Sequence, residues 1–261
     1  MADAEAVQDG DVDPRPVPIA PAPSSPPVAT ATAEMTLVDH LVELRNRLVK
    51  ALIAVALGTA VGFWFWSDIR DILIAPIPTG TVQVLGPGDA FVIALRISIV
   101  TGIILAMPVI LWQVWSFVAP GLTAPERRMV RPWIPLALCF FVLGVSLAYV
   151  ILPFAMGFLL GFTDDVMVAN LAAGPYFDFV TTMFLAFGLI MEFPILLFGL
   201  SRVGIVTSAR LAGARRTIIL GIAIFATAIT PGGDLVSPIA LGFTMYILFE
   251  GTVFFIRRSG K

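Results

Sequence analysis

Few acidic residues in the apolar part of this 261-residue chain have surroundings that suggest chemistry. They are Glu43 in HLVELRNRL, Glu126 in PERR, Glu192 in GLIMEFPILL, Asp234 in TPGGDLVSP and Glu250 in LFEGTVFF. A carboxylate among basic neighbours at a membrane surface can take a guanidinium through two parallel hydrogen bonds. Glu43 and Glu126 stand in such settings. An acid at mid-helix in hydrocarbon costs ~2.5 kcal/mol or more unless it is paired, protonated or wetted. Glu192 is in that position, and Pro194 two residues later weakens the helix ladder and can bend it around a watery recess. The alternative for Glu192 is a buried partner, a hydroxyl or Arg96. With His40 the single histidine and Cys139 the single cysteine, neither a histidine or cysteine metal centre nor an intrachain disulfide is implied, and no cofactor is expected.

The elements that must hold these acids are membrane helices. Hydrophobic residues are 58% and charged residues 13% of the chain, and mean hydropathy is +0.96, far above a soluble domain. The fold class read from this is an all-α integral membrane protein. A bilayer core of ~30 Å takes about 20 apolar residues, and six candidate spans fit: 48–66, 91–117, 130–152, 177–200, 217–230 and 235–256. The last two are the shorter ones. TIILGIAIFATAIT, the fifth, reaches only about 21 Å at ~1.5 Å per residue, so it implies local thinning or a hairpin held deep by its neighbours. Residues 1–35, rich in Pro, Ala and acid, read as a disordered tail ahead of a membrane domain over 36–258.

Lys and Arg cluster on alternate loops: Arg45, Arg47 and Lys50; Arg127, Arg128 and Arg131; Arg202, Arg210, Arg215 and Arg216; Arg257, Arg258 and Lys261. The other loops hold Arg70 with Asp68, Asp71, Asp164 and Asp165. The positive-inside rule then places both termini in the cytoplasm, N-in and C-in. The five tryptophans lie near span ends, as interfacial anchors do.

Within HLVELRNRL and its flanks, Leu37, Leu41, Leu44 and Leu48 share one helical stripe. Asp39, Glu43 and Arg47 follow one another at i,i+4 on another, each acid–base pair worth ~0.2–0.5 kcal/mol. One reading is a self-satisfied interfacial helix leading into the first span; the other is a dock for a charged peptide. Glu126 divides likewise between an early-turn acid of the third span and a peptide contact. Asp234 divides between an N-terminal cap and a functional acid. Glu250 either snorkels or meets Arg257.

Four segments in order, HLVELRNRL, MPVILWQVWSFVAPGLTAPERR, FGLIMEFP and MYILFEGTVFF, resemble TatC, the multispanning receptor subunit of the twin-arginine protein translocase, over roughly residues 36 to 258. The resemblance implies six helices in a curved, concave arrangement in the cytoplasmic (inner) membrane of a prokaryote. It also implies a translocase component rather than an enzyme, one that binds twin-arginine signal peptides of folded substrates and is driven by the protonmotive force. Single-span TatA/TatB-type subunits in a multimeric complex are the implied partners, and nucleic acid is not one. Carried over residue by residue, Glu43, Arg45, Phe117 and Glu126 form the signal-peptide site, and Glu192, Asp234 and Glu250 serve the concave face, partners or transport. Pro76, Pro108 and Pro194 bend the backbone. The chain departs from the pattern where Gly232-Gly233 precede the acid and Pro238 replaces a polar amide of some members.

Two other classes compete. An intramembrane aspartyl protease needs two acids at one depth sharing a proton, and Asp234 lies near the surface while Glu192 is deeper. A proton-coupled small-solute transporter would use Glu192 and broken helices at the midplane, yet the spans show no repeated three-helix unit.

Overall fold

The computed structural model describes residues 37–77, 81–123, 127–128, 131–163, 170–202, 208–230 and 234–258. Its helices, in chain order, are α1 (Leu37–Trp64), α2 (Trp66–Ile74), α3 (Asp89–Val118), α4 (Trp133–Leu160), α5 (Ala173–Ile190), α6 (Phe193–Arg202), α7 (Ser208–Gly213), α8 (Arg215–Ile229) and α9 (Val236–Arg258). A single 3₁₀ turn, Ala119–Gly121, finishes α3. Residues 1–36 lie outside the described part, and the tail expected there with them.

Among the described residues, five helical stretches are long and apolar enough to cross a membrane: Val38–Trp64, Asp89–Gly121, Trp133–Leu160, Ala173–Ser201 and Val236–Arg258. The fourth combines α5 and α6. The expected fifth span corresponds to α8, whose 15 residues reach only about 22 Å. The last, α9, has 23 residues, about 34 Å; it is shorter than the first four yet enough to cross.

The expected interfacial helix before the first span is absent as a separate element. HLVELRNRL and the apolar run after it form one uninterrupted 28-residue helix, because nothing between Val38 and Trp64 breaks the ladder. Its leucines face outward, with Leu41 64% and Leu48 57% exposed. The side chains of Glu43 and Arg47, only 18% and 23% exposed, turn toward the protein. That is the reverse of a soluble amphipathic helix and suits an apolar solvent.

Small residues let the helices meet. A Cβ on Gly58 would sit 2.7 Å from the Gly102 carbonyl oxygen, and one on Gly62 2.8 Å from that of Ser98, so α1 and α3 run antiparallel with their backbones nearly touching. Gly144 of α4 does the same against α5, and a Cβ on Gly188 would fall 2.7 Å from the Phe141 ring. Phe141, Phe177, Phe187, Leu152, Leu241 and Phe249 fill the centre, almost wholly shielded. α1 packs chiefly on α3 and α8 chiefly on α9, with α3, α4, α5 and α9 between them. α3, α4 and α5 pack on one another, α9 joins them through α4, α5 and α6, and α1 and α8 flank this group.

The turns group the charges at two ends. At the basic face α1, α4 and α8 begin and α3, α6 and α9 end. At the opposite face, α2 and the segment after it form a cap that the hydropathy reading does not contain. Tyr176 donates its hydroxyl to the Leu73 carbonyl at 2.6 Å. Gln83 and Ala172 pair as a one-bridge parallel ladder, Gln83 N–H to Leu171 O and Ala173 N–H to Gln83 O, both 2.7 Å. Pro76 ends α2 in a turn closed by Ile77 N–H to Ile74 O. Pro108 lies inside α3 without ending it, though its missing N–H leaves one ladder carbonyl unanswered.

The glycine contacts yield a check. Gly102→Val should lower unfolding stability in detergent by about 1–3 kcal/mol, the usual cost of overpacking, measured as reduced thermal or denaturant resistance. Gly221→Ala, where a Cβ meets nothing within 4 Å, should leave stability equal or slightly raised, since Ala is the better helix former.

Candidate functional site

At the basic face α1 and α3 present a small cluster. His40 stacks on Phe117 with ring centroids 4.3 Å apart and planes 17° from parallel. Three residues along the same helix, Glu43 is gripped by Arg47, whose Nε donates at 3.0 Å and whose Nη2 donates to the same oxygen, Oε1. The other oxygen, Oε2, is shielded from water, lies 3.9 Å from His40 Nδ1, and has no hydrogen-bond partner among the described residues. A carboxylate accepts at both oxygens, so Glu43 is half used: pre-oriented by Arg47, with one oxygen open to a further donor.

Two residues here belong to the site but were not assigned to it by sequence reasoning. Arg47 orients Glu43, whereas Arg45 is exposed and donates at 3.5 Å to Asn46. Position 45 lies about 200° around the helix from 43, so it does not share the Glu43–Arg47 pair. His40 fixes Phe117 relative to Glu43; its i,i+3 spacing from Glu43 was the available signal. Glu126 lies outside the described residues. Its neighbour Arg127 folds back to α3, donating Nε and Nη2 to the Ala119 carbonyl at 3.1 and 2.8 Å, which ties the loop to the end of the helix that carries Phe117.

Glu192 occupies a break in the fourth span. α5 stops at Ile190 and α6 starts at Phe193; Glu192 N–H bonds to Leu189 O at 3.1 Å, a tighter i−3 turn, and Pro194 supplies no donor for the next rung. The bend expected from Pro194 is therefore a full interruption of the helix two residues ahead of it. Glu192 is 8% exposed and its Oε1 has no partner among the described residues. Arg96, weighed above as its partner, is paired with Asp178 instead. That cross-helix pair was hidden in sequence because 82 positions separate its members.

Asp234 is 3% exposed. Its Oδ2 accepts from Ser237 N–H at 2.6 Å, capping α9, while Oδ1 has no partner among the described residues. Both readings given for it are compatible with this geometry: the cap is made and one oxygen remains. It lies at the end of an α8–α9 groove of about 490 Å³ that also takes in Thr227, Thr230 and Tyr246. Glu250 does not meet Arg257. It accepts from Arg215 Nη2 at 2.8 Å across to α8, a pair with both side chains partly exposed. Among the described residues no cluster of His, Cys, Asp and Glu is arranged to hold a metal.

The family model described as "Sec-independent protein translocase protein (TatC)" matches residues 39–243. The chain belongs to the TatC family. The chain is 34% identical to the TatC of Carboxydothermus hydrogenoformans, over 84% of this chain and 92% of that protein. To the TatC of Azotobacter chroococcum it is 37% identical, over 85% and 89%. A crystal structure titled "Crystal Structure of Twin Arginine Translocase Receptor- TatC in DDM" superposes with a TM-score of 0.75 at 33% identity, covering 83% of this chain and 99% of that one. The protein is thus a membrane-embedded component of a protein translocase, a family of transport proteins rather than of catalysts.

The cap on α9 separates structure from function at position 234. Asp234→Ala should cost about 0.5–2 kcal/mol of stability, as lost N-caps do, whereas Asp234→Asn, which retains the accepting oxygen, should stay near the parent. Denaturant titration in detergent measures both; equal losses would mean that the cap is not what Asp234 contributes to stability.

Proposed function

We propose that this TatC-family protein is the receptor for twin-arginine signal peptides, seated in the inner membrane of a prokaryote with both termini cytoplasmic. The basic face is the cytoplasmic face by the positive-inside rule. The observation that carries the reading is the half-used carboxylate of Glu43 beside Phe117: one oxygen held by Arg47, the other shielded and unpaired among the described residues. An incoming guanidinium supplies the missing donors at Oε2 while Arg47 keeps Oε1; because Oε2 is shielded, the side chains over it must move aside for the guanidinium to reach it. Phe117, stacked on His40, offers an apolar wall to the residues that follow the arginine pair. Glu126 gives the second guanidinium its carboxylate.

Beyond docking, the apolar part of the peptide enters the recess where the fourth span is broken at Glu192. Single-span TatA/TatB-type subunits pack along α8 and α9, where Asp234 and the threonines give the apolar groove a polar end. They gather into a multimer when substrate is bound, and the protonmotive force drives export of the folded cargo. The main rival, a proton-coupled solute carrier, would move its substrate alone in vesicles.

Glu43→Ala and Glu126→Ala should each weaken binding of a twin-arginine peptide by ~1.5–3 kcal/mol, the range for charged hydrogen bonds, with helicity unchanged. Calorimetry against arginine-pair and lysine-pair peptides measures this, and unchanged affinity in both variants sinks the site. Glu192→Gln is expected to reduce export into inverted membrane vesicles more than it reduces peptide affinity; full export by that variant removes Glu192 from the mechanism.

A further inference from the structure

Between the last turns of α3 and the start of α4 the basic face opens into a pocket of about 440 Å³ lined by Trp112, Arg128, Arg131, Pro132, Ile134 and Pro135. Arg128 and Arg131 are exposed, and neither side chain has a hydrogen-bond or ion-pair partner among the described residues. Arg47 is held by Glu43, Arg127 by the Ala119 carbonyl and Arg215 by Glu250, whereas Arg128 and Arg131 are distinguished by lining one pocket together. No described acid lines the pocket. Two guanidiniums without a described acid beside them line this shallow pocket together with an indole and two prolines, an arrangement that suits an anion with several acceptor oxygens.

What lies beneath the arginines narrows the ligand. From Trp112 back along α3, Val109 and Leu105 are exposed at i−3 and i−7, and along α4 Pro135, Cys139 and Val142 are exposed at matching spacing. Two apolar stripes thus run from the cationic pocket into the membrane, each covering about 10 Å of depth at ~1.5 Å per residue. A molecule that uses both parts has a phosphate at one end and hydrocarbon at the other. The charge excludes a twin-arginine peptide, which would meet like charges, and a free phosphate would leave the apolar stripes unused.

We propose that this pocket seats an anionic phospholipid of the leaflet at the basic face, its phosphate on Arg128 and Arg131, its glycerol region against Trp112, and its chains between α3 and α4. Trp112 is then a built-in reporter. With Trp64, Trp66, Trp115 and Trp133 changed to Phe, the remaining Trp112 is reconstituted in phosphatidylcholine vesicles. Either brominated phosphatidylglycerol or brominated phosphatidylcholine is then titrated in as quencher. The relative binding constant should favour the anionic lipid by about tenfold, as two arginines beside an anionic headgroup warrant. Arg128→Gln/Arg131→Gln should abolish the preference, and Arg128→Lys/Arg131→Lys should restore most of it. A matching protein that keeps only Trp64, at the other end of α1, should show none, which separates a seat from general enrichment of anionic lipid. Equal quenching of Trp112 by the two lipids overturns the proposal. So does a preference that survives the double Gln variant, or the absence of quenching by either lipid, which would mean that protein covers the surface.

Discussion

Hydrocarbon offers no hydrogen bonds, so each polar group carried by these helices must be answered within the chain or remain as a chemical demand. Most are answered. Serine and threonine hydroxyls along the spans return to the carbonyl four residues back, as Ser98, Ser146, Thr181, Thr227 and Thr244 do. Arg96 finds Asp178, and Glu250 finds Arg215. Against that background of satisfied groups, the shielded oxygens of Glu43, Glu192 and Asp234 stand out because none has a donor among the described residues. They mark three depths, the basic face, the break in the fourth span and the start of α9. The proposed path of recognition, insertion and partner contact runs through these three.

Much of this was legible in the sequence, for a physical reason: apolar length and loop charge are properties of contiguous residues. The spans, their order and the shortness of α8 follow from counting; Glu192 follows from the cost of an acid in apolar surroundings, and Asp234 from its place on a turn ahead of a helix, where an acid can cap. What depends on distance along the chain was not legible. The pairing of Arg96 with Asp178, of Glu250 with Arg215 rather than Arg257, and the stacking of His40 on Phe117 all require knowing which helices touch. The α1–α3 contact is set by Gly58, Gly62 and Gly102, whose spacing in sequence does not name their partners. Continuity at the start of the chain was not legible either. The leucine stripe is compatible with a separate interfacial helix, one of the two readings it allows, but no breaking residue follows it, and the stripe continues as the outward side of α1.

The same logic explains why Arg45 and Arg47 differ despite their similar place in the motif. An i,i+4 relation to Glu43 puts Arg47 over the carboxylate, where it fixes the acid; the i,i+2 relation puts Arg45 almost opposite, toward the surface. A motif is a linear string, but a helix sorts it by angle, and only part of it reaches the site.

The bridge that joins Gln83 to Ala172, with the Tyr176 hydroxyl on Leu73, carries a mechanical implication. It laces the segment between the first two spans to the entry of the fourth, on the side of the bilayer away from the arginine-rich loops. Helices α3 and α5 are therefore fastened at that end as well as by their packing, which opposes the swinging of one half against the other on which carriers with a rocking cycle depend. A frame braced in this way is suited to stay still while other chains assemble on it.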